Sequence, residues 1–167
     1  MINQNQKDLR IYERPFEERK IHGDRAEDCF AEYLKKKYCE SSITHRQKEK
    51  QVDYKLPDFV VKTENNSFEF EVKSTTKIKY RDYQHQLQYA TEQKLVLFYI
   101  YMAFQDGKCF KFRPIEIRNL LDYRVLFKDS FYNDTIPKPY FVIDPYLFHG
   151  KSYEKDWIYL DSLFPTS

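Results

Sequence analysis

Nowhere does this 167-residue chain carry an apolar run long enough to cross a bilayer as a helix. The longest run, Leu95 to Phe104, suits a buried strand. The N-terminal stretch MINQNQKDLRIYERPFEERK has no apolar h-region and includes acids, so no signal or transit peptide is expected. Cysteine is scarce: Cys29, Cys39 and Cys109 are odd in number, widely spaced and without a CxxC pair. That excludes a disulfide framework and leads to the expectation of reduced thiols in a cytoplasmic protein, away from membranes. Four scattered histidines show no zinc-ligand spacing. The formal net charge of +2 excludes a polycation of the histone kind. There are no internal repeats, no low-complexity tract and no obvious linker, so one domain is expected.

What is present is a foldable chain. Apolar residues at 41% and charged residues at 32% exclude disorder and leave enough chain to bury a core. Tyrosine (15) and phenylalanine (14) are abundant. Such residues can stack on bases or build protein contacts. A base-composition bias in the coding sequence would enrich them equally, so they name no partner.

Along the chain, residues 1–22 read as a polar arm. Asp24-Arg25-Ala26-Glu27 has capping-box spacing and predicts a helix start. Ala26, Cys29, Phe30, Tyr33 and Leu34 form an apolar stripe to about Tyr38, with Lys35 to Lys37 in the last turns, where cations suit the helix dipole. Cys29 on that stripe reads as a small buried hydrophobe. A short strand is expected near Ser42 to Arg46, then a charged loop. A second helix is expected from about Arg81 to Gln93, with Tyr83, Leu87 and Ala90 on one side. A covered strand follows over Lys94 to Phe104, and Asp106-Gly107 predicts a hairpin returning over Lys108 to Arg113. Pro114 is expected to open a short helix, Ile115 to Leu121. Tyr140 to Asp144 and Trp157 to Leu160 read as short strands.

Asp53 to Ser74 carries the chemistry. It reads as two strands joined at Glu64-Asn65-Asn66, because Asn tolerates the left-handed backbone of a tight hairpin turn. Phe68, Phe70 and Val72 alternate with Glu69, Glu71 and Lys73, so Glu71 and Lys73 leave the same strand face. Asp58 follows Pro57, which cannot donate to a ladder and favours a strand start or bend. If Asp58 and Glu71 converge, two carboxylates meet beside an ammonium, as a hard-metal site with a proton-handling group requires. The pattern ExK alone is common, occurring also at Glu18-Arg19-Lys20 and Glu92-Gln93-Lys94. The third instance, Glu71-Val72-Lys73, lies on an alternating strand with Pro57-Asp58 upstream across a turn.

This order of elements, with Pro57-Asp58 followed by Glu71-Val72-Lys73, resembles the PD-(D/E)xK nuclease superfamily over about Gly23 to Phe104. The resemblance implies an α/β fold with a restriction-endonuclease-like core: a mixed central sheet flanked by helices, with additional C-terminal strands. The nuclease-like domain would span 23–167, its core about 23–113 and a C-terminal elaboration 114–167. It also implies an upstream acid on the first helix, standing here as Glu27, and a polar residue on the next helix, Gln84, or failing that Gln86 or Gln88. Asp58, Glu71 and Glu27 would then hold Mg2+, with Mn2+ able to substitute, and Lys73 would serve the attacking water or the developing charge. Lys77, Lys79 and Arg81, just after the catalytic strand, are where DNA phosphates would lie.

The expected activity is therefore metal-dependent endonucleolytic hydrolysis of DNA phosphodiester bonds, by a homodimer or higher homo-oligomer. The C-terminal region is the candidate interface. Two rival readings stand beside it: a non-catalytic nucleic-acid-binding or assembly protein on the same fold, and an unrelated α/β interaction protein. In bland terms, Glu71 and Lys73 are a solvated strand face, Glu27 is a cap member, and Gln84 is a helix-surface residue.

Overall fold

Alternation along the strands decides the layering. In the computed structural model, which describes residues 16–46, 56–75, 77–130, 138–143 and 157–160, six strands form a mixed sheet. They are β1 (Ile43–His45), β2 (Phe59–Lys62), β3 (Ser67–Lys73), β5 (Val96–Gln105), β6 (Lys108–Glu116) and β9 (Ile158–Tyr159), neighbours in that order. β3 and β5 run parallel at the centre, and the other neighbours are antiparallel. A parallel pair needs a crossover, made here by β4 (Lys77–Lys79) and helix α2 (Tyr80–Glu92). The expected mixed α/β sheet flanked by helices is thus present.

One face of the sheet meets helix α1 (Phe16–Lys37). Ala26, Phe30, Tyr33 and Leu34 pack there on Phe59, Val61, Phe70, Val72, Ile100, Met102 and Phe112. Phe30 is fully buried, with edge contacts to the rings of Phe59, Phe70 and Phe112 at 5.2–5.5 Å. Such pairs add about 0.5–1.5 kcal/mol each beyond area burial. Much of the aromatic excess is therefore core. The other face meets α2 and a 3-10 segment, Ile117–Tyr123, over Leu97, Tyr99, Tyr101, Ala103 and Ile115. With both faces covered, β5 has the near-continuous apolar sequence expected of a central strand.

Several expectations are corrected. The first helix starts at Phe16 rather than Asp24 and runs through Gly23, so Asp24 and Glu27 sit inside a helix and form no capping box. The boundary expected at 22/23 falls within α1; residues 1–15 of the expected arm lie outside the described residues. The β2–β3 connection is the four residues 63–66, closed by Thr63 N–H to the Asn66 carbonyl at 2.8 Å. Neither Asn65 nor Asn66 has positive φ. Asp106 and Gly107 do, at 52° and 75°, as a tight hairpin turn demands. Pro114 lies within β6, opposite Ile100, and opens no helix. Among the described residues β6 pairs with β9 only at Lys111 and Phe112, so a residue without an N–H is tolerated at Pro114. A second sheet was not expected at all. It joins β4 to β8 (Lys138–Ile143), and β8 to β7 (Arg124–Ser130). Of these, β8 lies near the strand expected at Tyr140 to Asp144. The charged loop 47–55 lies outside the described residues.

The cysteines also depart from expectation. Cys29 on α1 and Cys109 on β6 are joined by a disulfide across 80 positions, and Cys39 is free and exposed. The pairing follows from α1 lying on the sheet, a contact that Cys spacing alone does not encode. No helix among the described residues is long and apolar enough to cross a membrane.

Candidate active site

The register of the hairpin brings the two motif acids together. Phe59 pairs with Phe70, both on the α1 face. One step further places Asp58 across from Glu71 on the opposite face, which α2 covers. Both are buried, at 0% and 4% exposure. Asp58 Oδ2 accepts a 2.8 Å hydrogen bond from the Val72 amide, fixing its side chain against β3. Lys73 Nζ lies 2.6 Å from Glu71 Oε1, and 24% of its side chain reaches solvent. Glu71 Oε2 is buried with no hydrogen-bond partner among the described residues. A buried carboxylate oxygen of this kind costs free energy unless a cation or donor meets it.

Tyr99, opposite Glu71 in the parallel ladder, floors the site. Its hydroxyl donates to Gln86 Oε1, and Lys73 Nζ lies 5.7 Å from its ring centroid. Burial first, then the charge of Glu71, pushes its phenol well above the usual range, so it stays a neutral donor. Two residues back along β3 and on the same face, Glu69 is also buried, and Arg46 holds it by two bonds: Nη1 to Oε2 at 2.8 Å and Nη2 to Oε1 at 3.3 Å. The Tyr89 hydroxyl of α2 donates to Glu69 Oε1 at 2.8 Å, and burial followed by that bond raises the Tyr89 phenol. Burial opposes the Arg46 charge, but the hydrogen bond and attraction of Glu69 outweigh it and raise its pKa.

The remaining expected residues scatter. Glu27 lies on α1, with Oε2 3.3 Å from His45 Nε2, and the His45 ring stacks on Phe59 at 4.2 Å. Among the described residues no three His, Cys, Asp or Glu gather into a group able to hold a metal ion. Glu27 is thus not part of a three-carboxylate cluster with Asp58 and Glu71. Gln84 is exposed on α2, and Gln88 pairs with Glu92 at 2.7 Å. Gln86 is the glutamine that turns inward. Lys77 and Lys79 flank buried Ile78 on β4, and Lys79 and Arg81 are exposed. Sequence reasoning missed Arg46, Tyr89 and Tyr99 as neighbours of the site. Tyr99 carried a signal, a tyrosine inside an apolar central strand; Arg46 carried none.

No protein-family model matches the sequence, and no curated protein does either. Among solved structures the chain is similar to a Holliday junction resolvase from the archaeal hyperthermophile Archaeoglobus fulgidus. The identity is 10% and the TM-score 0.45, over 84% of this chain and 93% of that one. A likeness of this size carries no weight for function, which rests on the side chains.

Proposed function

We propose that the protein is a magnesium-dependent deoxyribonuclease with Asp58, Glu71 and Lys73 at its centre. The observation that carries this reading is the pair of buried carboxylates on neighbouring segments of the hairpin. One of their oxygens, Glu71 Oε2, has no hydrogen bond among the described residues. Two oxygen-bearing acids with a spare buried oxygen suit a hard cation, and Asp58 and Glu71 are the residues that would hold it. Bound there, Mg2+ or Mn2+ supplies charge neutralisation and a hydroxide-like water near neutral pH. Lys73, hydrogen-bonded to Glu71 and reaching solvent, sits where it can orient an attacking water or meet a phosphate oxygen. Tyr99, opposite Glu71 in the ladder and hydrogen-bonded to Gln86, is buried alongside it.

The test is cleavage of linear, supercoiled and branched DNA by purified protein, with magnesium or with EDTA. Wild type is expected to cut with the metal and stop without it, while Asp58→Ala is expected to be inert. Inactivity of wild type on every substrate, or full activity of the variant, overturns the reading. Tight, salt-sensitive DNA binding with no divalent-ion binding would instead select the non-catalytic alternative. One site cuts one strand, so duplex cleavage calls for a homodimer; a monomeric mass by light scattering with and without DNA rejects that.

A further inference from the structure

Arg46 does more than neutralise Glu69. Its Nη1 donates 3.0 Å to the carbonyl of Pro57, and its own backbone N–H donates 2.7 Å to the carbonyl of Asp58. One residue therefore holds the peptide carbonyl on each side of the Asp58 Cα. The same guanidinium is anchored at its far end by the Glu69 carboxylate, which Tyr89 ties to α2. A planar fork suits this task because its donors are fixed relative to one another, so holding Glu69 also sets where the Pro57 carbonyl sits. The Asp58 side chain is then completed by the Val72 amide. The chain of contacts runs from helix α2 through Glu69 and Arg46 to the backbone of the motif aspartate.

We propose that Arg46 is a positioning residue for Asp58, with Glu69 and Tyr89 as its anchor. It fixes both peptides flanking Asp58 and so holds that carboxylate opposite Glu71. The inference rests on the reading of Asp58 as a metal-holding residue only where activity is concerned; the geometric part stands apart from it. It also accounts for a third buried acid on this face. Glu69 is turned to Arg46 and Tyr89, not to the Asp58–Glu71 pair.

The Val72 amide reports the position of Asp58 without any reference to catalysis. Its hydrogen exchange is measured in wild type, Arg46→Lys and Glu69→Gln, with the Ile100 amide of β5 as a reference for overall loosening. Lysine keeps the charge but cannot hold Glu69 by two bonds while reaching the Pro57 carbonyl. Val72 is expected to exchange about tenfold or more faster in both variants, as loss of a buried hydrogen bond implies, with Ile100 unchanged. In cleavage assays the magnesium needed for half-maximal rate is expected to rise about 10–100-fold, with the KM for DNA unchanged. The proposal is overturned if Val72 and Ile100 accelerate together, if neither moves, or if Val72 accelerates in an active variant whose magnesium requirement stays at the wild-type level. A wild type that neither cuts DNA nor binds Mn2+ defeats the nuclease reading instead, and Val72 exchange still decides whether Arg46 positions Asp58.

Discussion

Asp58 and Glu71 set two negative charges side by side where almost no water reaches. Desolvating each carboxylate costs on the order of several kcal/mol, and Lys73 and the Val72 amide offset this only in part. Sites of this kind are kept at the expense of stability. We predict that Glu71→Gln, which removes one charge and keeps the shape, melts higher than wild type in metal-free buffer. The shift is about 2–4 °C for each ~1 kcal/mol of relieved repulsion. Manganese at about a hundredfold its Kd would stabilise wild type by about 2.7 kcal/mol and leave the variant unmoved. Scanning calorimetry decides it: a lower-melting variant, or one that gains equally from manganese, contradicts a cation site at Glu71. Glu71 and Lys73 were legible because alternation fixes the strand face, and Asp58 because a proline marks the bend before it. Of the three candidate glutamines, the first choice, Gln84, is exposed, and the inward one is Gln86, named after it. Tyr83, Gln86 and Ala90 share a helical face, and a polar residue there is buried only because Tyr99, 13 positions on, offers it a hydroxyl.

At the scale of elements, α1 shows how packing overrides a local start signal. Asp24 to Glu27 has the spacing of a cap, yet the helix continues upstream, where the His22 ring meets Phe104 with centroids 3.8 Å apart. That packing extends the docked surface by a turn and outweighs the helix penalty of Gly23. An added methyl at Gly23 would meet little, Ser74 Oγ being 4.0 Å away. Gly23→Ala is therefore expected to stabilise the protein by about 0.5–1 kcal/mol, read as a higher denaturant midpoint. Were the helix to begin at Asp24, the substitution would bring no such gain. β4 escaped notice for a similar reason. Lys77-Ile78-Lys79 has a single apolar residue, and its strand character comes from pairing with β8, far along the chain.

For the molecule as a whole, Lys77, Lys79 and Arg81 lie together at the start of the β4–α2 crossover. A DNA backbone passing there would release about 0.9 counterions per phosphate neutralised. Replacing all three with alanine is expected to flatten the dependence of log affinity on log salt, whatever the DNA sequence. The slope should fall by about 0.9 for each phosphate that is no longer neutralised. Fluorescence anisotropy over a salt series measures it, and an unchanged slope routes the DNA elsewhere. Any such path would depend on how the elements assemble, as does the Cys29–Cys109 disulfide that joins α1 to β6.

By itself the sequence determined the strand faces, the tight turn at Asp106-Gly107, the mixed sheet between two helices, and the shared strand face of Glu71 and Lys73. Each is written in neighbours within a few residues, through alternation, turn chemistry or helical period. Only the tertiary structure decided that Arg46 would grip the Asp58 backbone, that Gln86 rather than Gln84 would face inward, that Glu27 would meet His45, and that two distant cysteines would join. Those choices depend on which elements stack against which. The free energy of that stacking is summed over the whole core, and no short stretch of chain contains it.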